Sequence, residues 1–325
     1  MSARVLVVGG AGYIGSVTAA VLLQNGFEVE TYDDLSTGHE QAAQGRLHHG
    51  DIRDKARLTA VLREGAFDAV MHFAAKSLVG ESVTHPLRYF DVNVGGTATL
   101  VQSMQDAGVE TLVFSSTCAI YGDPIRLPLD EDHPQRPVSP YGASKKMVEE
   151  MLAACRDREN LKVTTLRYFN AAGCMPDGSL GESHKTETHL IPLAIAAALG
   201  HRPPLSLFGT DYDTRDGTCI RDYIHVLDLA DAHVKALHRL LEGHPGDAYN
   251  VGTGVGTTVK EVLAAIGESL GTPVPHAVAA RRDGDPPALF ARADKIQADL
   301  GWSPEWTDIG GIVDTAVRWA REPRF

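Results

Sequence analysis

The sequence has few cysteines, none of them closely spaced, and no apolar run long enough to cross a bilayer. Its 4 cysteines form no CxxC pair, which suits neither a zinc site nor a disulfide framework. Reduced thiols in a cytosol fit this spacing best. The apolar stretch Leu190 to Leu199 is too short to span a membrane, and nothing before Arg4 resembles a signal peptide. We therefore expect a cytoplasmic protein without a membrane partner.

Positive charge is also in deficit. The chain carries 30 Lys and Arg against 42 Asp and Glu, a formal net charge of −12. Nucleic acids and anionic membranes both require a basic face, so neither is expected as a partner. An anionic substrate must then meet locally placed Arg or Lys side chains. The 14 histidines show no HExxH or similar ligand spacing, so no metal ion is expected.

Short runs rich in Val, Leu and Phe alternate with longer helix-like segments through the first half of the chain. This order predicts an α/β fold in which a doubly wound parallel sheet carries helices on both faces. The predicted strands are Val5–Val8, Glu28–Tyr32, Leu47–Asp51, Ala69–Phe73, Thr111–Ser115 and Val163–Leu166.

The alternation weakens after Phe169, which indicates a change of domain. A strand at Tyr223–Val226, a helix at Asp228–Leu241 and a strand at Ala248–Val251 are expected to return to the first domain. We thus expect two domains. They are a Rossmann-type domain of 1–169 plus about 223–253, and a smaller, discontinuous α/β substrate domain of about 170–222 plus 254–325.

A glycine-rich turn follows the first predicted strand and opens a helix-like segment. Gly9, Gly12 and Gly15 form a GxxGxxG pattern. Missing Cβ atoms permit a tight turn, let a pyrophosphate approach the backbone and let the helix pack on the strand. The second strand ends near Asp33, where a carboxylate can hold ribose hydroxyls and repel the 2′-phosphate of NADP. NAD is therefore the expected cofactor, with Asp34 as the alternative acid, although either Asp could instead cap the turn.

The ends of the third and fourth predicted strands are further candidate positions. Asp51 and Ile52 end the third, and the run from Phe73 to Ala75 ends the fourth. Open α/β sheets bind their ligands at the carboxyl ends of the strands. Asp51 could equally be a solvated turn residue.

Tyr141 and Lys145 place a phenol and an ammonium four residues apart, on one face if the segment is helical. Ser139 followed by Pro140 is typical of a helix start. A neighbouring ammonium and a cationic nicotinamide would favour the phenolate, which makes Tyr141 a plausible base. Thr117 closes the fifth strand, so its hydroxyl could bond the substrate oxygen that Tyr141 deprotonates, although a Thr at a strand end is more often structural.

These features occur in an order that resembles a known superfamily. GGAGYIG at 9–15, SSTCAIYG at 115–122, the Tyr141–Lys145 pair and RYFN at 167–170 resemble the extended short-chain dehydrogenases/reductases. Within it, HFAAKSLVGES at 72–82, SPYGASK at 139–145, RDYIHVLDLADAHV at 221–234, YNVGTGVG at 249–256 and RRDGDPPA at 281–288 are similar to the family of UDP-glucose 4-epimerases.

The resemblance implies an enzyme that keeps NAD bound and inverts C4 of a UDP-sugar, UDP-galactose or UDP-glucose, through a 4-keto sugar. Tyr141 would take the proton from the 4-hydroxyl, Lys145 would bond the nicotinamide ribose and lower the pKa of Tyr141, and Thr117 would hold the 4-oxygen. The implied cofactor-binding residues are Gly9, Gly12, Tyr13, Ile14, Gly15, Asp33, Asp51, Ile52, Phe73, Ala74, Ala75, Asn93 and Tyr168.

The resemblance also implies a UDP-sugar site and a homodimer. Helices at Leu87–Asp106 and Lys145–Ala154 would form a four-helix contact between two copies. Asn170, Arg221, Arg282 and Asp285 would hold the UDP, with Phe208 near the uracil. The other implied substrate-binding residues are His189, Leu190, Tyr223 and Leu289.

The chain departs from the family pattern at three places. Many members have a Lys where Ser77 stands, whereas here it is Lys76, and many have Asn in place of His189. Leu289 replaces a bulky aromatic residue found in some members, so the pocket could admit N-acetylated sugars.

Three alternative functions stay open at this point. A nucleotide-sugar 4,6-dehydratase typically has Asp-Glu after the strand-end Thr, whereas this chain has Cys118 and Ala119. Another UDP-sugar, such as UDP-GlcNAc or UDP-glucuronate, could be the substrate. A non-catalytic NAD sensor could share the fold, but such proteins can dispense with the tyrosine.

Overall fold

The computed structural model describes residues 2–282 and 285–325. Its strands are β1 Arg4–Val8, β2 Glu28–Asp33, β3 Arg46–His49, β4 Ala69–His72, β5 Thr111–Thr117, β6 Lys162–Tyr168, β7 Asn170–Ala172, β8 Leu205–Phe208, β9 Ile220–His225, β10 Ala248–Val251, β11 Gly256–Thr258, β12 His276–Ala279 and β13 Ala288–Leu289. Its α-helices are α1 Tyr13–Gln24, α2 Lys55–Gly65, α3 Val79–Thr84, α4 Pro86–Tyr89, α5 Gly96–Ala107, α6 Pro140–Glu159, α7 Leu190–Ala198, α8 Val226–Leu241, α9 Val259–Leu270, α10 Asp294–Leu300 and α11 Ile309–Arg321.

Seven parallel strands form the large sheet, in the order β10-β6-β5-β4-β1-β2-β3. Alternate residues of β1 point to opposite faces, as a strand requires. Val5 and Val7 pack with α1 and α8 in one core, whereas Leu6 and Val8 pack with α2, α5 and α6 in the other. Helices therefore cover both faces, which confirms the predicted doubly wound Rossmann-type fold.

A smaller unit is built from separate parts of the chain. Its main sheet contains β11, β9 and β13, with β7 pairing parallel to β9, and β8 pairs separately with β12. Helices α7, α9 and α11 pack together around a third core. None of the helices in the described part of the chain has the length and hydropathy that a bilayer crossing requires.

The structure corrects the prediction that a strand at Tyr223–Val226 returns to the first domain. The first three residues of that segment, Tyr223 to His225, form the second half of β9, which pairs with β7, β11 and β13 in the smaller sheet and not with the large one, and Val226 begins α8. The chain returns to the large sheet with α8, which packs on α1, and with β10, which lies beside β6. The prediction was wrong because a buried strand followed directly by an amphipathic helix resembles the repeating unit of a parallel sheet.

The third strand ends earlier than predicted, at His49 and not at Asp51. The chain turns there because the Tyr32 hydroxyl donates to the Asp51 carbonyl at 2.9 Å, while Asp54 N–H donates to the same oxygen. The fourth strand ends at His72 because the amides of Phe73 and Ala74 both donate to the Val8 carbonyl, which bends the chain out of the ladder.

Candidate active site

Two glycines of the glycine-rich turn are packed tightly against backbone atoms. Gly9 has a φ of +83°, and a Cβ there would lie 2.3 Å from the Ala74 nitrogen. A Cβ on Gly15 would lie 2.2 Å from the Gly9 carbonyl oxygen. Gly12 is the N-cap of α1 and offers no side-chain cap, so the first-turn amides, including those of Tyr13 and Ile14, have no side-chain acceptor at this helix start. Such a helix start favours an anionic ligand.

An open cleft with about 560 Å³ of empty space, here called the glycine cleft, adjoins this turn. Of the predicted cofactor residues it is lined by Gly9, Gly12, Asp33, Ile52, Phe73, Ala74 and Ala75. The sequence analysis missed Ser36 and Thr37, which also line it. Their signal was weak, since small polar residues after a strand-end Asp are common in any turn. Lys76 is a lining residue as well, and its Nζ donates to Ser36 Oγ at 3.2 Å.

The Asp33 carboxylate stabilises the glycine-rich turn through hydrogen bonds. Its Oδ2 accepts from the Ala11 amide at 3.0 Å and its Oδ1 accepts from the Leu35 amide at 2.8 Å. Burial raises the pKa of the Asp33 carboxyl, and the two amide hydrogen bonds oppose that shift. Asp34 is exposed and caps the turn through the Ser36 amide at 2.8 Å. Both acids line the glycine cleft, and only Asp33 is buried.

Two predicted cofactor residues, Asp51 and Asn93, are not among the residues that line the glycine cleft. The Asp51 carboxylate binds the Arg53 side chain and accepts from the Arg53 amide at 2.8 Å. Asn93 is buried and makes internal contacts, since its Oδ1 accepts from the Lys76 amide at 2.8 Å and its Nδ2 donates to Ser144 Oγ at 3.0 Å. Asn93 therefore connects the loop after β4 to α6 through hydrogen bonds.

The side chains of the other predicted cofactor residues have structural contacts. The Tyr13 hydroxyl donates to the Gly173 carbonyl at 2.6 Å, which ties α1 to the start of the smaller unit. Ile14 packs beside the first core. Tyr168 ends β6, and its hydroxyl accepts from Ser115 Oγ at 3.0 Å. These contacts place Tyr168, unlike Tyr13, beside the end of β5.

Thr117, Tyr141 and Lys145 are buried where β5 meets α6. Ser139 caps α6 by accepting from the Gly142 amide at 3.1 Å, and Pro140 occupies the first helical position. The expected helix start is therefore confirmed. The Lys145 ammonium donates to the Ser115 carbonyl at 2.8 Å and lies 4.7 Å from the centre of the Phe114 ring.

Burial dominates the electrostatics of this group. It raises the pKa of the Tyr141 phenol well above 10.0, with Tyr168 adding to the shift and Thr117 opposing it. It lowers the pKa of the Lys145 ammonium from 10.5 to about 7, against a smaller opposite effect of Glu149. The expected lowering of the Tyr141 pKa by Lys145 is thus not found in the protein itself, because desolvation favours the neutral form of both groups.

A buried ion pair lies one helical turn from Lys145 and was missed in the sequence analysis. Glu149 accepts from Arg167 Nη2 at 2.7 Å, and Ser116 Oγ donates to the same carboxylate. The Arg167 Nη1 also donates to the Tyr121 hydroxyl at 3.0 Å. Sequence gave no spacing signal for this pair, because the two residues lie on α6 and β6 and meet only through the fold.

The predicted diphosphate and base residues come together in the smaller unit. Arg221 Nη2 donates to the Asp285 carboxylate. The Arg282 guanidinium lies 4.0 Å from the centre of the Phe208 ring, a cation–π contact. Arg221 also acts electrostatically on Cys118, which follows Thr117. This places the cationic group near the carboxyl end of β5.

Three more of the predicted substrate residues fall into two sets. Leu289 pairs in register with Arg221 and packs, with Cys118, beside a small apolar cluster that contains Phe169. Asn170 is half-buried and pairs in register with Tyr223, whose ring lies in the third core. Leu289 is therefore adjacent to the Thr117 end of β5, whereas Tyr223 is largely a packing residue.

His189 and Leu190 mark the start of α7. His189 is the N-cap, and Leu190 is the first helical residue and packs against the third core. The His189 Nδ1 lies 2.8 Å from both Glu182 and Glu187. Its imidazole therefore faces two carboxylates on the preceding loop.

The large sheet and the glycine cleft at its carboxyl edge define a dinucleotide-binding protein of the Rossmann type. The NAD dependent epimerase/dehydratase family model matches residues 5–252, and the chain belongs to this family. It is 52% identical over 317 residues to the UDP-glucose 4-epimerase of Rhizobium meliloti, covering 97% of this chain and 96% of that one.

Two solved structures match nearly the whole chain. The UDP-glucose 4-epimerase from Brucella ovis in complex with NAD superposes with a TM-score of 0.96 at 48% identity, over 98% of both chains. The UDP-glucose 4-epimerase from Bifidobacterium longum in complex with NAD+ and UDP gives a TM-score of 0.93 at 36% identity, again over 98% of both chains.

Proposed function

We propose that the protein interconverts UDP-galactose and UDP-glucose by inverting C4 of the sugar, with NAD as a bound cofactor. The observation that carries this proposal is the burial of Thr117, Tyr141 and Lys145 together at the end of β5. The relatives named above support the same activity and the same cofactor.

The residues of the glycine cleft fit NAD. At Gly9 and Gly15 a Cβ would collide with backbone, whereas at Gly12 the nearest atom would be 3.5 Å away, so the turn leaves room beside Gly12 for a pyrophosphate. Asp33 stands where ribose hydroxyls would bind. NAD supplies, when bound, a hydride acceptor and donor for the sugar carbon.

Within this proposal the chain's own residues position the sugar and move its proton. Thr117 would hold the 4-oxygen, and Tyr141 would remove the proton from the 4-hydroxyl and return it after the 4-keto sugar has turned over. Because burial keeps the phenol neutral, positive charge near Tyr141 is required for it to act as a base. Within the proposal, Lys145 would supply that charge in its protonated form.

The smaller unit would hold UDP. Arg221 and Arg282 would neutralise the diphosphate on a chain that is otherwise strongly acidic, and Phe208 offers an aromatic face for the base. Arg221 is mostly buried and already oriented by Asp285, which favours a fixed geometry. In this proposal residues 170–225 and 254–325 form the substrate domain.

Cys118 argues against the dehydratase alternative. Burial raises the pKa of its thiol to about 12, so Cys118 would not supply the acid or base that water elimination needs. Leu289 makes only apolar packing contacts in its cluster. Whether N-acetylated sugars are accepted therefore depends on the size of the pocket. Inactivity on UDP-GlcNAc would argue against a roomier pocket.

The test of the proposal is to incubate the purified protein with UDP-galactose, without added NAD, and to detect UDP-glucose after a quench. Tyr141→Phe should lower the rate by about 100-fold to 10,000-fold. Tyr249→Phe is the matched control, since Tyr249 is equally buried but packs in the first core on β10. Absence of product from the wild-type chain even with NAD supplied would contradict the proposal.

We also propose that the protein is a homodimer. Val79 and Val83 on α3, Leu87 on α4 and Met147 on α6 are 49%, 63%, 81% and 50% exposed. The three helices contact one another, and we propose that these four side chains together form one apolar patch. A second copy is the occupant that fits, because a two-fold axis would place the patch against itself.

A cytoplasmic location is part of the same proposal. Cys118, Cys155, Cys174 and Cys219 are all free thiols in the structure. Free thiols persist in reducing compartments.

A further inference from the structure

A cluster of two histidines and two glutamates lies on the loop before α7, outside the group around Tyr141. Glu182, His184, Glu187 and His189 each offer one nitrogen or oxygen atom, and these four atoms lie within 4.8 Å of one another. The two imidazole rings are 5.4 Å apart, centre to centre. The sequence analysis expected no metal because it sought HExxH spacing, whereas this cluster has the spacing ExHxxExH.

One of the four distances in this cluster equals an edge of a metal-centred tetrahedron, and the other three are shorter. His184 Nδ1 lies 3.4 Å from Glu182 and 3.1 Å from Glu187, and His189 Nδ1 lies 2.8 Å from each. A tetrahedral zinc ion with bonds of about 2.0–2.2 Å has ligand–ligand edges of about 3.3–3.6 Å. Small side-chain movements therefore suffice to convert the cluster into a four-coordinate site.

The two carboxylates are partly buried and close together. The Glu182 side chain is only 9% exposed and that of Glu187 is 19% exposed. Within residues 2–282 and 285–325, their ion-pair partners are His184 and His189 alone, with no Lys or Arg nitrogen in range. Two partly buried carboxylates and two imidazoles are a donor set that a divalent transition metal neutralises and binds.

We propose that Glu182, His184, Glu187 and His189 bind one divalent metal ion of the zinc class, which fixes the loop between α11 and the start of α7. Glu182 is already anchored, since its carbonyl accepts from Trp319 Nε1 of α11 at 2.7 Å. His189 is the N-cap of α7. The ion would thus join the two ends of the 182–189 loop. The nitrogen ligands select zinc, cobalt or nickel over magnesium and calcium, which prefer oxygen alone.

The experiment uses the tag-free, full-length protein, treated with a chelator, supplied with zinc and passed through gel filtration before its metal content is measured. The wild-type chain should retain about one zinc per chain, and excess magnesium should not displace it. His184→Ala and Glu187→Gln should each lose it. His201→Ala is the matched control, because His201 is exposed and lies outside the cluster, and it should retain the metal.

Two results of the metal measurement would overturn the proposal. One is a wild-type chain that carries no zinc, which would mean that the four residues form ion pairs only. The other is zinc retained unchanged in His184→Ala. X-ray absorption at the zinc edge provides a check that does not depend on variants, since it should show nitrogen and oxygen neighbours at about 2.0–2.2 Å. Sulfur neighbours would place the zinc on a cysteine and sink the assignment. Zinc content is measured without turnover, so failure here leaves the epimerase proposal intact.

Discussion

At the scale of single residues, the Glu149–Arg167 pair is the contact whose loss should cost most. Their side chains are 8% and 7% exposed, and Glu149 raises the pKa of the Arg167 guanidinium against the opposing effect of burial. Removing one partner of a buried pair leaves the other charge uncompensated.

We expect Glu149→Gln to lower the free energy of unfolding by about 3–5 kcal/mol, measured by urea denaturation. The adjacent Glu150 is the control on the same helix. It forms an exposed i,i+4 pair with Lys146 at 3.6 Å, so Glu150→Gln should change stability by less than about 1 kcal/mol. Equal losses in the two variants would show that the buried pair has no special role.

At the scale of elements, the packing of α1 on β1 depends on Gly15. A Cβ there would lie 2.2 Å from the Gly9 carbonyl, which is backbone and cannot rotate away. Gly15→Ala should therefore shift α1, lower the retention of bound NAD and destabilise the chain by about 1–3 kcal/mol. Nucleotide released on denaturation measures the retention.

Gly80→Ala is the comparison for that variant. Gly80 lies on α3, and nothing stands within 4 Å of its Cβ position. Alanine has the higher helix propensity, so this variant should keep its NAD and gain up to about 1 kcal/mol. Loss of NAD from both variants would argue against a steric role for Gly15.

The sequence predicted those elements whose formation depends on residues close to one another in the chain. The glycine spacing, the Ser139 cap and the buried strand runs are set by neighbouring residues, so the large sheet and the start of α6 were predictable. The place of β9 was not, because the partners of a strand are chosen by long-range packing. Asn93 shows the same limit at the site, since its contact with Ser144 depends on how separate segments meet.

At the scale of the whole molecule, the apolar patch on α3, α4 and α6 predicts the oligomeric state. Leu87 is the most exposed of its four large side chains. A buried Glu at this position in a two-fold contact would face its own copy, and like charges would repel. Leu87→Glu should therefore sediment as a monomer in analytical ultracentrifugation, whereas the wild-type chain should sediment as a dimer.

Val278 provides the control for this change. It is 65% exposed but lies on β12, in the smaller unit, so Val278→Glu should leave the dimer intact. A wild-type chain that is monomeric at micromolar concentration would contradict the patch as a dimer contact.

The order of strands in the large sheet also has a consequence for biosynthesis. β6 ends at Tyr168, but its outer neighbour β10 begins only at Ala248, after the first segment of the smaller unit has been made. At about 5–20 residues per second, the ribosome leaves the outer edge of β6 without a partner for roughly 4–16 s. Through most of that interval α8 has also not yet covered its face of the sheet. The nascent chain thus presents an unpaired strand edge and an apolar surface together, which are features that chaperones bind and that promote aggregation when synthesis pauses.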